Sequence, residues 1–156
     1  FQKMEGQKIP KQSRTVTFIL ADGSRIMGDV FLHLFTFRHD SSQRLDELLN
    51  DDSNRFIPVR RLSDGSVILL NLHHVVLVEA QRQAGCDEPL ALLGHWRTIS
   101  VKALGQEMIR GEILIDLPSE QGRAQDFFNQ SVNFSALFVE ERVLYLNHNY
   151  ILYVID

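Results

Sequence analysis

An internal repeat constrains this fold more than any other feature of the sequence. Blocks of similar residues occur twice, in the same order, in the two halves of a 156-residue chain. The matched blocks are 14–16 with 97–99, 28–30 with 111–113, 44–50 with 123–129, 67–71 with 143–147 and 75–78 with 151–154. A repeat of this kind indicates one structural unit present twice. We therefore expect an internal duplication, with units at residues 14–79 and 97–156 and a pseudo-twofold relation between them.

Each unit has the residue pattern of short β-strands. Apolar and polar residues alternate from Val16 to Leu20, and turn-forming residues follow at 21–24. The further predicted strands are 26–35, 55–60, 67–70 and 74–79 in the first unit, and 133–139, 142–146 and 150–155 in the second. Apolar residues at helical spacing predict one or two helical turns at 41–50 and 121–129. The expected fold is all-β with short helical insertions, arranged as two tandem five-stranded small barrels.

Two glycines and two asparagines at matched positions are predicted to have structural roles. Gly28 and Gly111 lie inside the second strand of each unit, where glycine usually marks a bend, a bulge or a close backbone approach. Asn71 and Asn147 lie just before the last strand of each unit. Asparagine can bond the backbone two residues on and tolerates a positive φ. We expect Asn71 and Asn147 to close a tight connection between strands.

The residues outside the repeat are expected to form a tail and a linker. Residues 1–13 form the predicted N-terminal tail, and residues 1–3 resemble the remnant of a cleaved tag. Residues 80–96 contain glycine and proline and form the predicted linker. The single cysteine, Cys86, lies in this linker and fits a reducing compartment, so we expect a cytoplasmic protein. No apolar run is long enough to cross a bilayer, and no membrane contact is expected.

The sequence contains no recognisable catalytic, metal or cofactor motif. His73 and His74 are adjacent, so a strand would direct them to opposite faces. Serines occur without the G-x-S-x-G frame of a nucleophile elbow, and no glycine-rich loop precedes a helix. We therefore expect a protein without enzymatic activity and without a cofactor.

The hairpin that contains Gly23 and Gly28 resembles the first motif of the Sm-like proteins, the family that includes Hfq. Residues 72–75, with the sequence LHHV, resemble the second motif of that family. The resemblance covers the hairpin and the last two strands, and it implies a small Sm-like or SH3-like barrel. The second unit departs from it, because Gln106 replaces the first glycine and Asn149 replaces the histidine. The tandem arrangement resembles an uncharacterised bacterial family of paired barrels, which implies no function.

Charge and strand edges narrow the class of partner. The net charge is −4 and each unit is more acidic than basic, so we do not expect nucleic acid as a partner. Small barrels offer edge strands for pairing, which favours a non-enzymatic interaction or scaffold module that binds a protein partner or assembles as a homo-oligomer. The alternatives are an Sm-like RNA-binding protein and, third, an enzyme with a site between the barrels. The candidate interaction residues are Arg44, Asn50, Arg123 and Asn129.

Overall fold

A computed structural model describes residues 11–34, 43–83, 86–87, 94–116 and 123–156. The strands are β1 (Lys11–Leu20), β2 (Arg25–His33), β3 (Phe56–Arg61), β4 (Val67–Asn71), β5 (Val75–Gln81), β6 (His95–Ala103), β7 (Ile109–Ile115), β8 (Phe134–Val139), β9 (Arg142–Asn147) and β10 (Ile151–Ile155). The helices are α1 (Leu45–Leu49) and α2 (Ala124–Phe128), and two 3₁₀ turns span Leu72–His74 and His148–Tyr150. The prediction of an all-β fold with short helices is confirmed.

The strands form a single antiparallel sheet with the order β10-β6-β7-β8-β9-β5-β1-β2-β3-β4. In each half, the fifth strand lies beside the first, and the second, third and fourth follow in turn. The halves join where β9 pairs with β5, and the sheet of the described residues does not close, because β4 and β10 are its outer strands. A twofold axis would pair like strands. Here a fourth strand pairs with a fifth, so the halves follow each other head to tail and are not related by a pure twofold axis.

The strand boundaries differ from the expected ones mainly at the ends of each half. Strand β1 begins at Lys11, which pairs with His33, so the strand extends into the predicted tail. Strands β5 and β6 both extend into the predicted linker. The rest of the tail, linker residues 84–85 and 88–93, residue 35 of the second strand and helical residues 41–42 and 121–122 lie outside the described residues.

The strands at the centre of the sheet are buried on both faces. In β9, Val143 and Tyr145 belong to one hydrophobic cluster, whereas Leu144 and Leu146 belong to another. Successive side chains of a strand point to opposite faces, so the two clusters lie on opposite sides of β9. This double burial explains why the central strands have unbroken apolar runs rather than an alternating pattern.

Gly28 and Gly111 lie where the next strand approaches the backbone closely. A Cβ added to Gly28 would lie 2.6 Å from the carbonyl oxygen of Arg60, and one added to Gly111 would lie 2.8 Å from that of Phe138. Neither glycine has a positive φ. Of the three roles considered for these glycines, the geometry therefore supports close backbone approach.

Replacing Gly28 with alanine should destabilise the protein by about 1–3 kcal/mol, the range for overpacking a well-packed interior. The added methyl group would meet backbone, which cannot turn aside as a side chain could. Met27→Ala is the control, because Met27 is exposed in the same strand and its loss should change stability by about 0.5 kcal/mol at most. Urea denaturation measures both variants, and a Gly28→Ala protein as stable as the wild type would contradict the close-approach role.

Candidate assembly interface

The junction between the two halves, which we call the seam, is formed by strands β9 and β5. Their antiparallel register places Leu144 opposite Glu79, Tyr145 opposite Val78 and Leu146 opposite Leu77. Five of these side chains are buried, and Glu79, the sixth, forms an ion pair of 3.2 Å with Arg142. A buried apolar centre with a polar rim is the usual anatomy of a protein–protein interface. The seam thus has the character of an interface within one chain.

The second half also completes the hydrophobic core of the first. Phe134, Phe138, Val143 and Tyr145 belong to the same buried cluster as the core strands of the first half. Among the described residues of the first half, Ile19 and Leu77 alone belong to the buried cluster of the second half. The described part of the second half has no corresponding cover, and Phe127, Phe128, Ile151 and Val154 remain only partly buried there. The two halves are therefore unequally enclosed.

Asn50, one of the candidate interaction residues, connects the two halves by hydrogen bonds. It caps the C-terminal end of α1, and its Oδ1 accepts hydrogen bonds from the backbone N–H groups of Asn133 (3.0 Å) and Phe134 (2.7 Å). Its Nδ2 donates to the carbonyl oxygen of Phe134 at 3.0 Å. Both polar ends of the side chain are used, so Asn50 fixes the position of α1 on the first residue of β8.

Asn129 is the matched residue of the second half, and the structure places it differently. It caps the C-terminal end of α2 and is exposed. Within the described ranges its side chain makes no hydrogen bond. The structure therefore brings Asn50, and not Asn129, into contact with the other half.

Arg44 and Arg123, the other candidate interaction residues, each occupy the N-cap position just before a helix. The Nε of Arg44 lies 3.0 Å from Asp46, and the Nε of Arg123 lies 3.0 Å from Asp126. Each ion pair is made within the first turn of the residue's own helix. These contacts stabilise the helices locally, and they do not join the halves.

Asn147 and Asn71 make the same turn, but only Asn147 also makes a hydrogen bond across the seam among the described residues. Each Oδ1 accepts a hydrogen bond of 3.0 Å from the backbone N–H two residues on, from Asn149 and His73 respectively. The expectation of positive φ is wrong, because φ is −74° at Asn147 and −81° at Asn71, so each asparagine acts only through its side-chain hydrogen bonds. The Nδ2 of Asn147 also donates to the carbonyl oxygen of Val75 at 2.9 Å. The Nδ2 of Asn71 has no partner among the described residues.

The two asparagines provide a matched pair of variants. Asn71→Ala removes one turn hydrogen bond, whereas Asn147→Ala also removes a buried bond across the seam. We expect Asn147→Ala to lower the free energy of unfolding by about 1–3 kcal/mol more than Asn71→Ala, the range for leaving a buried carbonyl without a partner. Denaturation at a protein concentration where both variants are monomeric measures the difference, and equal losses would refute the seam role of Asn147.

A buried ion pair fastens the linker to both halves. Arg14 in β1 donates two hydrogen bonds to Asp87, at 2.9 and 2.7 Å, and the hydroxyl of Tyr145 donates to the same carboxylate at 2.7 Å. Burial by itself would raise the pKa of Asp87, but bonds from Arg14, the Gln83 backbone and Tyr145 hold it below its usual value. Burial, together with the charge of Asp87, raises the pKa of Tyr145.

Asp87 was not among the residues predicted to have a role, because an aspartate in a linker ordinarily points to solvent. The repeat does contain one signal. Arg97, at the position that matches Arg14, also pairs with a carboxylate, with its Nε 2.6 Å from Asp156. The arginine that recurs near the start of the first strand of each half is therefore the sequence signal for a carboxylate partner.

Asp87→Ala should lower the free energy of unfolding by about 3–5 kcal/mol, because Arg14 would stay buried without its counter-charge. Asp64→Ala is the control, because its pair with Arg61 is exposed to solvent and should contribute much less to stability. The folded pKa of Asp87 is depressed, so its contribution is complete above about pH 4 and is lost as the pH falls further. Urea denaturation at pH 7 and pH 3 tests this, and equal losses for the two variants at pH 7 would contradict it.

A cleft of about 570 Å³ lies beside the seam, between α1 and the second half. Asp46, Glu47 and Asp116 contribute carboxylates to its lining, together with aromatic side chains of β8 and α2. No group of three or more metal-binding side chains converges within the described ranges. In the same part of the chain, neither helix has the length and apolar character of a membrane span.

One serine–histidine pair lies at the edge of this cleft. The Oγ of Ser135 is 2.6 Å from the Nε2 of His148, and burial lowers the pKa of His148. Such a pair can serve in nucleophilic catalysis. The matching positions of the first half, however, are the buried core residues Ile57 and Leu72. The pair thus replaces an apolar core contact, which favours a packing role.

The outer strands β4 and β10 expose apolar side chains that their counterparts at the seam bury. Asn71 and Asn147 align β4 with β9, and the two 3₁₀ turns align β10 with β5. The exposed residues and their exposed fractions are Val67 (55%), Leu69 (69%), Leu152 (56%), Tyr153 (52%) and, at the start of β3, Phe56 (54%). The matched residues Val143, Tyr145, Val76, Leu77 and Phe134 are all buried. The outer strands therefore have the apolar character of an interface without its partner.

Comparison with protein-family models, with curated proteins and with solved structures gave no match. Function is therefore inferred from the chain's own geometry.

Proposed function

We propose that this protein is a non-enzymatic interaction module that assembles head to tail, with β4 of one chain pairing with β10 of the next. The observation that carries the proposal is the seam, where a fourth strand already pairs with a fifth. In this proposal the halves are tandem small barrels that arose by duplication, and the junction between chains repeats the junction within the chain. Sheet edges are well suited to such strand addition.

The register of the seam specifies the register between chains. Tyr145 lies opposite Val78 at the seam, and Leu144 lies opposite Glu79. If β4 and β10 of two chains pair in the register of the seam, Leu69 lies opposite Val154 and Ile68 lies opposite Ile155 of the neighbouring chain. Such pairing would cover Leu69, the most exposed apolar residue of β4.

The composition of the outer strands supports the same proposal. Proteins that avoid edge pairing place lysine or proline in their edge strands. Strand β4 reads VILLN and strand β10 reads ILYVI, without either residue. Both edges are thus left open to a strand of similar character.

Unlike edges that bind each other make a heterologous interface, which produces a closed ring or an open filament. Each junction uses one β4 edge and one β10 edge, so every added chain presents the same pair of free edges. A chain of this kind would act as a scaffold that repeats one surface at regular intervals.

Blocking one edge at a time tests the head-to-tail arrangement. Leu69→Pro in β4 and Val154→Pro in β10 each remove an edge, because proline cannot donate to a strand ladder. Light scattering should show an oligomer for the wild type, monomers for each variant alone, and a 1:1 heterodimer when the two are mixed. Met27→Lys, on an inner strand, is the control and should remain oligomeric. A wild type that stays monomeric, or a mixture that stays monomeric while both variants remain folded, would contradict the proposal.

A further inference from the structure

The seam contains a second contact besides strand pairing, and the chain carries an unused copy of it. The contact is Asn50 at the end of α1, bound to the backbone of Asn133 and Phe134 at the start of β8. The free copy consists of Asn129 at the end of α2 and the start of β3. Strand pairing and this helix contact are separate observations, because one is made by backbone edges and the other by a side chain.

We propose that Asn129 binds the backbone of Arg55 and Phe56 of a second copy of the chain and so sets which edge is accepted and in which register. The inference rests on the proposed head-to-tail assembly. It assigns to Asn129 the bonds that Asn50 makes within the chain, with Oδ1 accepting from two backbone N–H groups and Nδ2 donating to a carbonyl.

The asparagine side of this contact is already in place. Asn50 and Asn129 both follow a five-residue helix, and their φ values are −100° and −92° with ψ values of 6° and 2°. In both, the backbone N–H bonds back into the helix, from Asn50 to Asp46 and from Asn129 to Gln125. The backbone conformation at the two positions is therefore the same, and within the described residues the exposed side chain of Asn129 makes no hydrogen bond.

The backbone side of the contact is also in place on the first half. The carbonyl oxygen of Asn133 accepts a hydrogen bond from His148 at 2.9 Å, and that of Arg55 accepts one from Leu72 at 2.8 Å. Arg55 therefore holds the position in the first half that Asn133 holds in the second. Phe134, which follows Asn133, is buried at the seam, whereas Phe56, which follows Arg55, is exposed.

The partner is a second copy of the chain, because the chain itself carries both halves of the contact in unbound form. Asn129 is the exposed counterpart of Asn50, and Phe56 is the exposed counterpart of Phe134. Phe56 would enter beside α2, where Phe127 and Phe128 are only partly buried. In the first half the matched Leu48 and Leu49 are buried, and Phe134 of the second half joins their cluster. Docking of Phe56 would thus give the second half the cover that it lacks.

Asn129→Ala should weaken association by about tenfold or more, since the loss of about 1.4 kcal/mol of polar contact corresponds to that factor. Its stability as a monomer should not change, because the side chain has no partner within the described part of the chain. Gln130→Ala is the matched control, because the side chain of this exposed neighbour donates to the carbonyl oxygen of Phe127 in its own helix, and its loss should leave association unchanged. Sedimentation at graded concentrations measures the three dissociation constants.

Cross-linking tests which residues meet. In a Cys86→Ser background, chains with Asn129→Cys should form a disulfide with chains that carry Arg55→Cys. They should not form one with chains that carry Asp64→Cys in the exposed turn at the opposite end of β3. A single chain with Asn50→Cys and Asn133→Cys should close internally and shows that the geometry permits a disulfide.

The outcomes separate this inference from the proposed assembly. Association that is insensitive to Asn129→Ala, with no 129–55 disulfide although the 50–133 control closes, would overturn the inference and leave head-to-tail assembly standing. A monomeric wild type would overturn both.

Discussion

The pairing of β9 with β5 is the constraint on which the rest of this structure depends. It turns two five-strand halves into one ten-stranded sheet, and it gives the central strands two buried faces. The contacts of Asn50 and Asn147 and the cover that the second half places over the first all follow from it. Because the pairing joins a fourth strand to a fifth, the sheet of the described residues has one strand of each kind at its ends, each with one free edge.

The two halves have the same strand order but differ in how much of their core is covered. This difference follows from the head-to-tail pairing of β9 with β5. The first half has its core completed by Phe134 and Tyr145, whereas the second half keeps Phe127 and Phe128 partly exposed. Asn71 and Asn129 retain the residue type of their bound counterparts although neither side chain crosses a seam within the described residues. In the proposed head-to-tail assembly, Asn129 would make between chains the contact that Asn50 makes within the chain, and Asn71 would make that of Asn147.

Local sequence signals predicted the elements well and the contacts between them poorly. Strand alternation and helical spacing identified the all-β class and the two short helices. For Gly28 the sequence left a bend, a bulge and a close approach open, and the structure supports the close approach. The repeat singled out Asn50, but which half it binds depends on strand pairing, a long-range contact without a local signature. Asp87 was missed because burial, which makes its bond to Arg14 strong, cannot be read from a loop-like sequence. The negative φ at Asn71 shows that tolerance of a conformation does not mean that the fold uses it.

Amide hydrogen exchange, followed as a function of protein concentration, tests the central claim most directly. If β4 and β10 pair between chains, their outward amides should exchange slowly in concentrated protein and rapidly after dilution, while β5 and β9 stay protected throughout. Rapid exchange in β4 and β10 at every concentration, with the seam still protected, would contradict head-to-tail assembly.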